Sequence, residues 1–449
     1  MDNSILVFGI LIIFIVLLCI GMRIGTLLLG IGIVAIYLLF GKDTIAGLLQ
    51  NDPFTVVAAY ALTPIPLFVF MAHCIMQSRI LDKIYYVAFK VSKGSAGLLG
   101  SLTVFVGGFL GAVSGSGVAI SAALAQIVSP QLVKRGFSRE LSAATCATGG
   151  SLASIIPPSI ILIIYGSLTE TSVGKLFIGA LIPGLLLMGV YAICVAVTYQ
   201  LLEKPRKSIY RASQEDALKY DEIAITADEE TFSGKEIFTS FFMGFLLILI
   251  VLGGIYSGAF TPTEAAAVAT LVALIYCVYL KTANLQFLKE ALKDTAHVSG
   301  MILFILVAAQ IFGRLVSLLK IPALVVSSLT PILDKPFLVI ALLMVFYFLI
   351  GMFMEAIAGM IMSVPVTLPI MEAVGMDPLW FGIVVGLLLC IGLVTPPIGM
   401  AVFSASTTSG VSLSKLFPYT IVWSIIGFII VGGCLMLFPE VATYLPSKM

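Results

Sequence analysis

Charge is scarce in this chain. Charged residues make up 10% of the 449 positions, hydrophobic residues make up 60%, and the net charge is +1. The mean hydropathy is +1.16. This composition excludes a water-soluble globular protein of this length and a disordered chain, because both need many more charged side chains. The nearly neutral charge balance also offers no basic surface for nucleic acid, so no nucleic-acid partner is expected.

Residues that carry out catalysis are scarce as well. The chain has two histidines, and its seven cysteines lie in apolar stretches without C-x-x-C spacing. Such cysteines favour packing roles over metal binding or redox chemistry. The sequence has no P-loop lysine signature, no H-E-x-x-H motif and no nucleophile elbow. It therefore predicts neither an enzyme nor ATP hydrolysis by this chain.

Long apolar runs, by contrast, recur along the whole sequence. A run of about 20 apolar residues is long enough to cross the hydrocarbon core of a bilayer as a helix. Because only helices and closed barrels can satisfy their backbone groups there, we predict an all-α polytopic membrane protein. The clearest runs are residues 4–22, 24–40, 54–77, 176–202, 237–256, 262–280, 297–318, 336–354 and 418–438.

The chain consists of two halves that share landmarks. A polar segment with mixed charges, residues 203–236, separates them and predicts a solvated linker. Three landmarks match without a gap when the second half is shifted back by 239 residues, which predicts an internal repeat of residues 1–202 and 237–449. The matched landmarks are Pro130 and Pro369, Gly136 and Gly375, and the pairs Pro157–Pro158 and Pro396–Pro397.

The distribution of basic residues predicts that the two halves cross the membrane in opposite directions. Residues 78–93 carry four basic residues, whereas the matching residues 317–332 carry only Lys320. Since Lys and Arg concentrate on the cytoplasmic side, equivalent segments should lie on opposite sides. An odd number of crossings per half produces this inversion. We predict five spans and one re-entrant hairpin in each half, both termini outside, and a cytoplasmic linker at 203–236.

The first proline pair lies within an apolar run, "GGSLASIIPPSIILIIYG" (149–166). Proline lacks an N–H group and disfavours helical backbone at the preceding residue. The pair should therefore break a helix at about 140–168 and leave the carbonyls of Ala153 and Ser154 without hydrogen bonds. Free carbonyls can coordinate a cation, and the N-terminus of the following half-helix, near Ser159, favours an anion. The alternative is a structural helix that is merely kinked.

The second proline pair repeats this arrangement within a run at about 379–406, where it should free the carbonyls of Gly392 and Leu393. Discontinuous helices at matching positions in two halves indicate the binding site of a transporter. For both pairs together, this interpretation is favoured over simple kinks.

Each broken helix follows a segment that predicts a re-entrant hairpin. "GAVSGSGVAIS" (111–121) and its match "IGMFMEAIAGM" (350–360) would form the tips of hairpins at about 95–130 and 336–369. Packing of helices through small residues is the alternative. Glu355 matches Ser116 in this register. An acidic residue inside a membrane segment is a candidate for function, because burying its charge is costly.

The motifs "SGSGVA", "GGSLASIIPPSIILIIYG", "GGIYSGAFTPTEAAAVA", "GMFMEAIAGM" and "IGLVTPPIGM" resemble those of the large membrane subunit of the tripartite ATP-independent periplasmic (TRAP) transporters. The resemblance extends through most of the chain. It departs from the family at Glu355, where the family usually has Asp, and in segment 203–236, which is longer than usual.

The resemblance implies an elevator-type sodium symporter in the bacterial inner membrane that takes up a small organic anion, such as a sialic acid, a dicarboxylate or a related carboxylate or sulfonate. It also implies two partners, a small four-helix membrane subunit encoded as a separate chain and a periplasmic substrate-binding protein.

The resemblance further implies two or more sodium ions and a substrate site between the hairpin tips. The first sodium site would use Ser114, Gly115, Ser116, Ser154 and Pro157, and the second Glu355, Thr395 and Pro396. The substrate would lie near Ser116, Ser151, Ser159, Glu355 and Gly399.

Three other functions remain as alternatives. A standalone sodium/dicarboxylate symporter would have a similar architecture but no binding protein. An ion channel can be built from the same hairpins. A membrane-embedded enzyme is disfavoured by the lack of a catalytic His, Asp or Cys cluster.

Overall fold

The computed structural model describes residues 20–203 and 232–449, together with residues 9, 10, 12–14, 16 and 17. About half of the predicted first span (4–22) and most of the predicted linker (203–236) lie outside the described residues. The described residues form helices and no β-strand. Eight of these helices are long and apolar enough to cross a membrane. The prediction of an all-α polytopic membrane protein is confirmed.

The first half contains ten helices within the described residues. They are α1 (Ile24–Phe40), α2 (Lys42–Val57), α3 (Pro64–Gln77), α4 (Ile80–Val91), α5 (Ala96–Ser114), α6 (Gly117–Ile127), α7 (Ser129–Lys134), α8 (Arg139–Ser151), α9 (Ile160–Thr169) and α10 (Val173–Thr198). A π-helical turn extends α10 to Glu203.

The second half begins with α11 (Gly234–Ile248), which continues through a π-helical turn to Tyr256. The helices that follow are α12 (Pro262–Tyr279), α13 (Leu285–Leu318), α14 (Ile321–Leu333), α15 (Pro336–Phe353), α16 (Ala356–Ala373), α17 (Pro378–Gly392), α18 (Met400–Ser409) and α19 (Leu413–Gly427). A further π-helical turn and a short helix extend α19 to Leu437.

The helix boundaries follow the internal repeat. Adding 239 to Gly117, the first residue of α6, gives 356, the first residue of α16; adding 239 to Arg139 of α8 gives 378, the first residue of α17. The pairs α5 and α15, α9 and α18, and α10 and α19 begin within one residue of the same register. Two sequences with little side-chain identity therefore build the same order of hairpin, broken helix and final span.

The halves differ before the hairpin. The sequence predicts one span over 54–77, but α2 ends at Val57 and α3 begins at Pro64. The structure contains one span here, Tyr60–Gln77, in which a 3₁₀ turn continues into α3. The predicted start at 54 was wrong because residues 54–57 belong to α2, and the extended backbone of Ala59 (ψ 117°) separates α2 from the span. The matching α13 has no proline and runs for 34 residues, about 51 Å at 1.5 Å per residue. Since the hydrocarbon core is about 30 Å thick, α13 extends beyond it at one end or both.

The helices pack in two groups. An outer group contains α1, α2, α3, α12 and α13, and an inner group contains the hairpins, the broken helices and the final spans. In each half the first hairpin arm packs on the broken helix, as α5 on α8 and α15 on α17. Across the halves, α6 contacts α18 and α16 contacts α9, which is the same pairing with the halves exchanged. The arrangement therefore has an approximate two-fold symmetry.

A hydrogen bond marks where the symmetry axis passes. The Cys390 thiol donates to the Ser151 carbonyl oxygen over 3.1 Å. These residues are 239 positions apart and are thus equivalent in the repeat. A residue can contact its own symmetry equivalent only close to the axis. The axis therefore runs between α8 and α17, next to the first break.

Close packing between α15 and α17 depends on glycine. A Cβ atom added at Gly392 would lie 2.5 Å from the backbone of Gly351, too close for two carbon atoms. Glycine at this position lets the two backbones touch, and the buried surfaces of both helices depend on that contact.

We expect Gly392→Ala to separate α15 from α17 and to lower the unfolding free energy by about 1–3 kcal/mol, the usual cost of overpacking. Gly189→Ala in α10 is the control, since a Cβ there meets nothing within 4 Å. That change should be neutral or slightly stabilising, because alanine favours the helix. Thermal unfolding in detergent measures both. Equal melting temperatures for the two variants would contradict the assignment.

Candidate functional site

Both proline pairs break their helices as predicted. Helix α8 ends at Ser151, a 3₁₀ turn follows at Leu152–Ser154, and α9 begins only at Ile160. Helix α17 ends at Gly392, and α18 begins at Met400. The peptide bonds Pro157–Pro158 and Pro396–Pro397 are both cis. The two loops differ in exposure: residues 151–160 are all buried, whereas Pro397 and Ile398 are exposed.

The sequence predicts four backbone carbonyls without hydrogen bonds, those of Ala153, Ser154, Gly392 and Leu393. For three of them the prediction is wrong. The Ser159 hydroxyl donates to the Ser154 oxygen over 2.5 Å. The Thr395 N–H donates to Gly392 over 2.9 Å, and the Ala401 N–H donates to Leu393 over 3.0 Å. The physical reason is that the chain folds back after each break, so that a later residue supplies a hydrogen-bond donor. A carbonyl oxygen has two lone pairs, so these oxygens retain the capacity to bind a cation.

The Ala153 carbonyl is the exception. It accepts no hydrogen bond from the residues that the structure describes, and Ala153 is fully buried. A buried carbonyl without a donor is uncommon and calls for a partner. This carbonyl is therefore the strongest backbone candidate for cation binding at the first break.

The first hairpin tip lies directly against the first break. Gly115 has φ +64°, and a Cβ there would lie 3.2 Å from the Pro158 carbonyl oxygen. A Cβ on Gly117 would lie 2.7 Å from the Ser154 hydroxyl. Glycine at these two positions thus lets the tip approach the broken backbone. The predicted residues Ser114, Gly115, Ser116, Ser154 and Pro157 lie on these two facing segments.

Ser116 has a structural role at this tip. Its hydroxyl accepts a hydrogen bond from the Ala119 N–H over 3.4 Å and caps the N-terminus of α6. The Ser116 N–H in turn donates to the Ser114 hydroxyl over 3.4 Å. Hydroxyl and carbonyl oxygens without a formal charge are therefore the groups that the first tip can offer to a cation.

The second tip contacts the second break through the backbone. The N–H groups of Ile398 and Gly399 both donate to the Met352 carbonyl oxygen, over 3.2 and 3.4 Å. Gly399 has φ +54°, a conformation that glycine adopts readily. The predicted Thr395, Pro396 and Gly399 belong to this loop. The structure thus places them beside the hairpin tip that carries Glu355.

Glu355 caps α16 just as Ser116 caps α6. One carboxylate oxygen, Oε2, accepts from the Ile357 N–H over 3.0 Å and from the Ala358 N–H over 3.3 Å. A negative charge at a helix N-terminus is stabilised by the helix dipole. The other oxygen, Oε1, accepts no hydrogen bond within the described part of the chain. Glu355 can thus cap the helix with one oxygen and present the other to a cation.

Three predicted residues use their hydroxyl groups internally. The Ser151 hydroxyl donates to the Thr148 carbonyl oxygen over 2.9 Å, and the Thr395 hydroxyl donates to the Ile391 carbonyl oxygen over 2.9 Å. The Ser159 hydroxyl donates to the Ser154 carbonyl oxygen, as described above. All three are buried. The structure therefore does not bring Ser151 and Ser159 together with Ser116 and Glu355 on one accessible surface. Of the predicted residues, Ser116, Glu355 and Pro396 are partly exposed and the others are buried.

The sequence predicts α18 as the second half of the broken helix, but the contacts of its hydroxyl groups were missed. The Ser404 hydroxyl of α18 donates to the Val118 carbonyl oxygen in the first turn of α6, over 3.0 Å, so the second broken helix contacts the first hairpin tip. The hydroxyl-rich run "FSASTTSG" (403–410) within an apolar region is the signal that could have identified these contacts. The matching α9 is apolar and largely buried.

Among the described residues, no three or more His, Cys, Asp and Glu side chains lie together in a way that could hold a metal ion. A cation at either break would therefore depend on backbone and hydroxyl oxygens, with Glu355 as the acidic group at the second tip. Such neutral oxygen sets suit a monovalent cation better than a transition metal.

Comparisons with known proteins agree with this architecture. Residues 11–443 match the family model described as the DctM component of the tripartite ATP-independent periplasmic transporter. The chain is 30% identical over 425 residues to the C4-dicarboxylate TRAP transporter large permease protein DctM of Pseudomonas aeruginosa, covering 93% of this chain and 92% of that protein. It is 30% identical over 398 residues to the sialic acid TRAP transporter large permease protein SiaM of Vibrio cholerae, covering 86% of each.

The fold also resembles a solved structure. The YdaH transporter of Alcanivorax borkumensis, described as having an unusual topology, superposes with a TM-score of 0.58 over 89% of this chain and 90% of its own. At 15% identity this likeness concerns the fold alone. The family match and the large permease relatives, whose length this chain covers, establish the function class: the chain belongs to the DctM component family of the tripartite ATP-independent periplasmic transporters and is a membrane permease rather than an enzyme.

Proposed function

We propose that this chain is the sodium-coupled permease through which a small organic anion, delivered by a periplasmic binding protein, crosses the bacterial inner membrane. The observation that carries the proposal is that one structural unit, a hairpin tip seated on a proline break, occurs twice around the symmetry axis. Broken helices at mid-membrane expose carbonyl oxygens suited to a cation and helix N-termini suited to an anion. Two such units suggest at least two sodium ions.

The substrate class follows from the relatives. Their names specify C4-dicarboxylate, sialic acid, isethionate and 2,3-diketo-L-gulonate, all small organic acids. In the present chain, the N-terminus of α6 lies at the first tip and is capped by the neutral Ser116, so its helix dipole favours a carboxylate or sulfonate group. The N-terminus of α16 already holds the Glu355 carboxylate. We infer that the anion binds between the tips and that neutral donors provide most of its recognition.

The two packed groups of helices suggest how transport occurs. The inner group contains both tip–break units and would carry cation and substrate together. The outer group would remain fixed in the membrane beside the small four-helix subunit. Movement of one group past the other is the elevator mechanism. By the distribution of basic residues, the termini would face the periplasm, from which the binding protein approaches.

Transport by the reconstituted protein tests the proposal. The purified chain in liposomes should take up little organic acid by itself, because the ligand has to be delivered. Adding the small subunit, the binding protein loaded with its acid and an inward sodium gradient should start uptake. Radiolabelled acid provides the measurement, with an equal potassium gradient as the control.

Two outcomes would contradict the proposal. Sodium-driven uptake of free acid by this chain alone would favour a standalone symporter. Ionic currents far above the turnover of a carrier would favour a channel.

The proline pair at the first break provides a second test. In Pro157→Ala/Pro158→Ala, N–H groups return to the helix, so the Ala153 and Ser154 carbonyls can regain backbone donors. We expect the sodium concentration for half-maximal uptake to rise several-fold, with no loss of melting temperature, since proline costs about 3 kcal/mol in a helix interior.

Pro53→Ala is the matched control, because Pro53 lies within α2, which packs on α1 and α13 of the outer group and away from both breaks. Its sodium dependence should equal that of the parent protein. If the double variant folds and also keeps the parental sodium dependence, the first break is structural and the cation site lies elsewhere.

A further inference from the structure

An apolar cavity lies on the outer side of the first tip–break unit. It has a volume of about 490 Å³, is lined by α4, α5, α10 and the span that begins with α11, and is open on one side, where Phe105 and Leu185 are exposed. Its walls are almost entirely hydrocarbon. They include Phe105 and Phe109 of α5 and Phe241 of α11, and the cavity reaches Ile156 and Pro157 at the break. Neither tip residue Ser116 nor Glu355 lines it, so it lies beside the candidate transport site and adjoins that site at Pro157.

Helix α4 covers this cavity with one face. Ile84, Val87, Ala88 and Val91 line the cavity, and their spacing of three, four and seven residues places them on one side of a helix. The lysines of α4, Lys83 and Lys90, are not among the lining residues. A helix with an apolar face and lysines outside that face is typical of the boundary between acyl chains and headgroups.

The end of α4 carries positive charge next to the cavity. Lys90 directly precedes Val91, and Lys93 follows it by two positions; both lysines are exposed. The Lys90 ammonium lies 4.6 Å from the ring centre of Tyr86. On the neighbouring loop, the Arg135 guanidinium lies 3.4 Å from the ring centre of Phe89. The acidic residue of α4, Asp82, is paired with Arg79 over 2.8 Å. Among the described residues, these charged side chains at α4 are therefore basic, except for the paired Asp82.

These features limit what can occupy the cavity. An empty apolar space of this size within the hydrocarbon layer forfeits dispersion contacts along its whole lining. Water would find hardly any hydrogen-bonding group there. A flexible acyl chain fits the volume, and a phosphate headgroup fits the basic end of α4.

We propose that this cavity holds an acyl chain of an anionic phospholipid, with its phosphate group beside Lys90 and Lys93. The lipid would fill the space beside Ile156 and Pro157 and support the first break where the hairpin arm α5 passes it. The site would therefore couple the charge of the surrounding bilayer to the stability of that break.

Native mass spectrometry of the full-length protein, stripped of lipid and then titrated, tests the proposal. Phosphatidylglycerol should bind at one site more tightly than phosphatidylethanolamine with the same acyl chains. Lys90→Gln/Lys93→Gln should weaken the phosphatidylglycerol site by about fivefold per lysine, the effect of one basic residue near an anionic headgroup. The control is Lys289→Gln/Lys293→Gln, which removes two exposed lysines of α13 and should leave the site unchanged.

A second variant tests the cavity itself. Ala88→Phe places a ring in the cavity and should abolish binding of both lipids at this site. Ala267→Phe, which alters an exposed alanine of α12, should have no effect. Equal binding of the two lipids, or undiminished affinity in the Lys90→Gln/Lys93→Gln variant, would overturn the proposed headgroup site. Undiminished binding in a folded Ala88→Phe variant would overturn the cavity as the acyl-chain site. The lysine variant keeps the test decisive should Ala88→Phe not fold.

Discussion

The structure depends on one constraint: a backbone polar group within the hydrocarbon core of a membrane has to find a partner inside the protein. In this chain, two proline pairs each interrupt the backbone hydrogen bonds of a helix. A hairpin tip from the same half packs against each interruption. At the first break the hairpin tip approaches the broken backbone directly, which Gly115 and Gly117 make possible. At the second break a pair of N–H groups bonds to the Met352 carbonyl. Breaks and hairpins are thus parts of one unit, and neither would be stable at this depth without the other.

The two units share a plan but differ in chemistry. The first is buried and offers neutral oxygens, including the Ala153 carbonyl, which lacks a donor within the described part of the chain. The second is partly exposed at Ile398 and carries a carboxylate at the helix cap. In the register of the repeat, Ser116 of the first tip corresponds to Glu355 of the second. A symmetric frame therefore presents two unequal environments to cations. The contact between Ser404 of the second half and the first tip shows that the halves meet where these environments lie.

Much of the fold could be predicted because its signals are backbone signals. The proline pairs, the glycine-rich tips and their constant spacing specify where helices break and turn, whatever side chains surround them. What could not be predicted depends on contacts across the fold. The Ser159 hydroxyl bonds back to Ser154, and the left-handed Gly399 lets the chain return so that Ala401 reaches Leu393; neither contact is visible in hydrophobic periodicity. The start of the span at Tyr60 was missed for another reason, since residues 54–57 are as apolar as the span but belong to α2. The role of the α18 hydroxyl groups could not be predicted because it depends on the contact between α18 and α6, which are far apart in the sequence.

The most direct test of two unequal cation sites is the sodium dependence of uptake by Glu355→Ser in the reconstituted system. Serine is a good helix cap, so α16 should remain capped and the protein should fold, but the second tip would then carry the neutral group of the first. The two-site account predicts a several-fold rise in the sodium concentration for half-maximal uptake. It also predicts that Glu355→Asp retains most of the parental sodium affinity, because the carboxylate remains. A well-folded Glu355→Ser variant with the sodium dependence of the parent protein would contradict it.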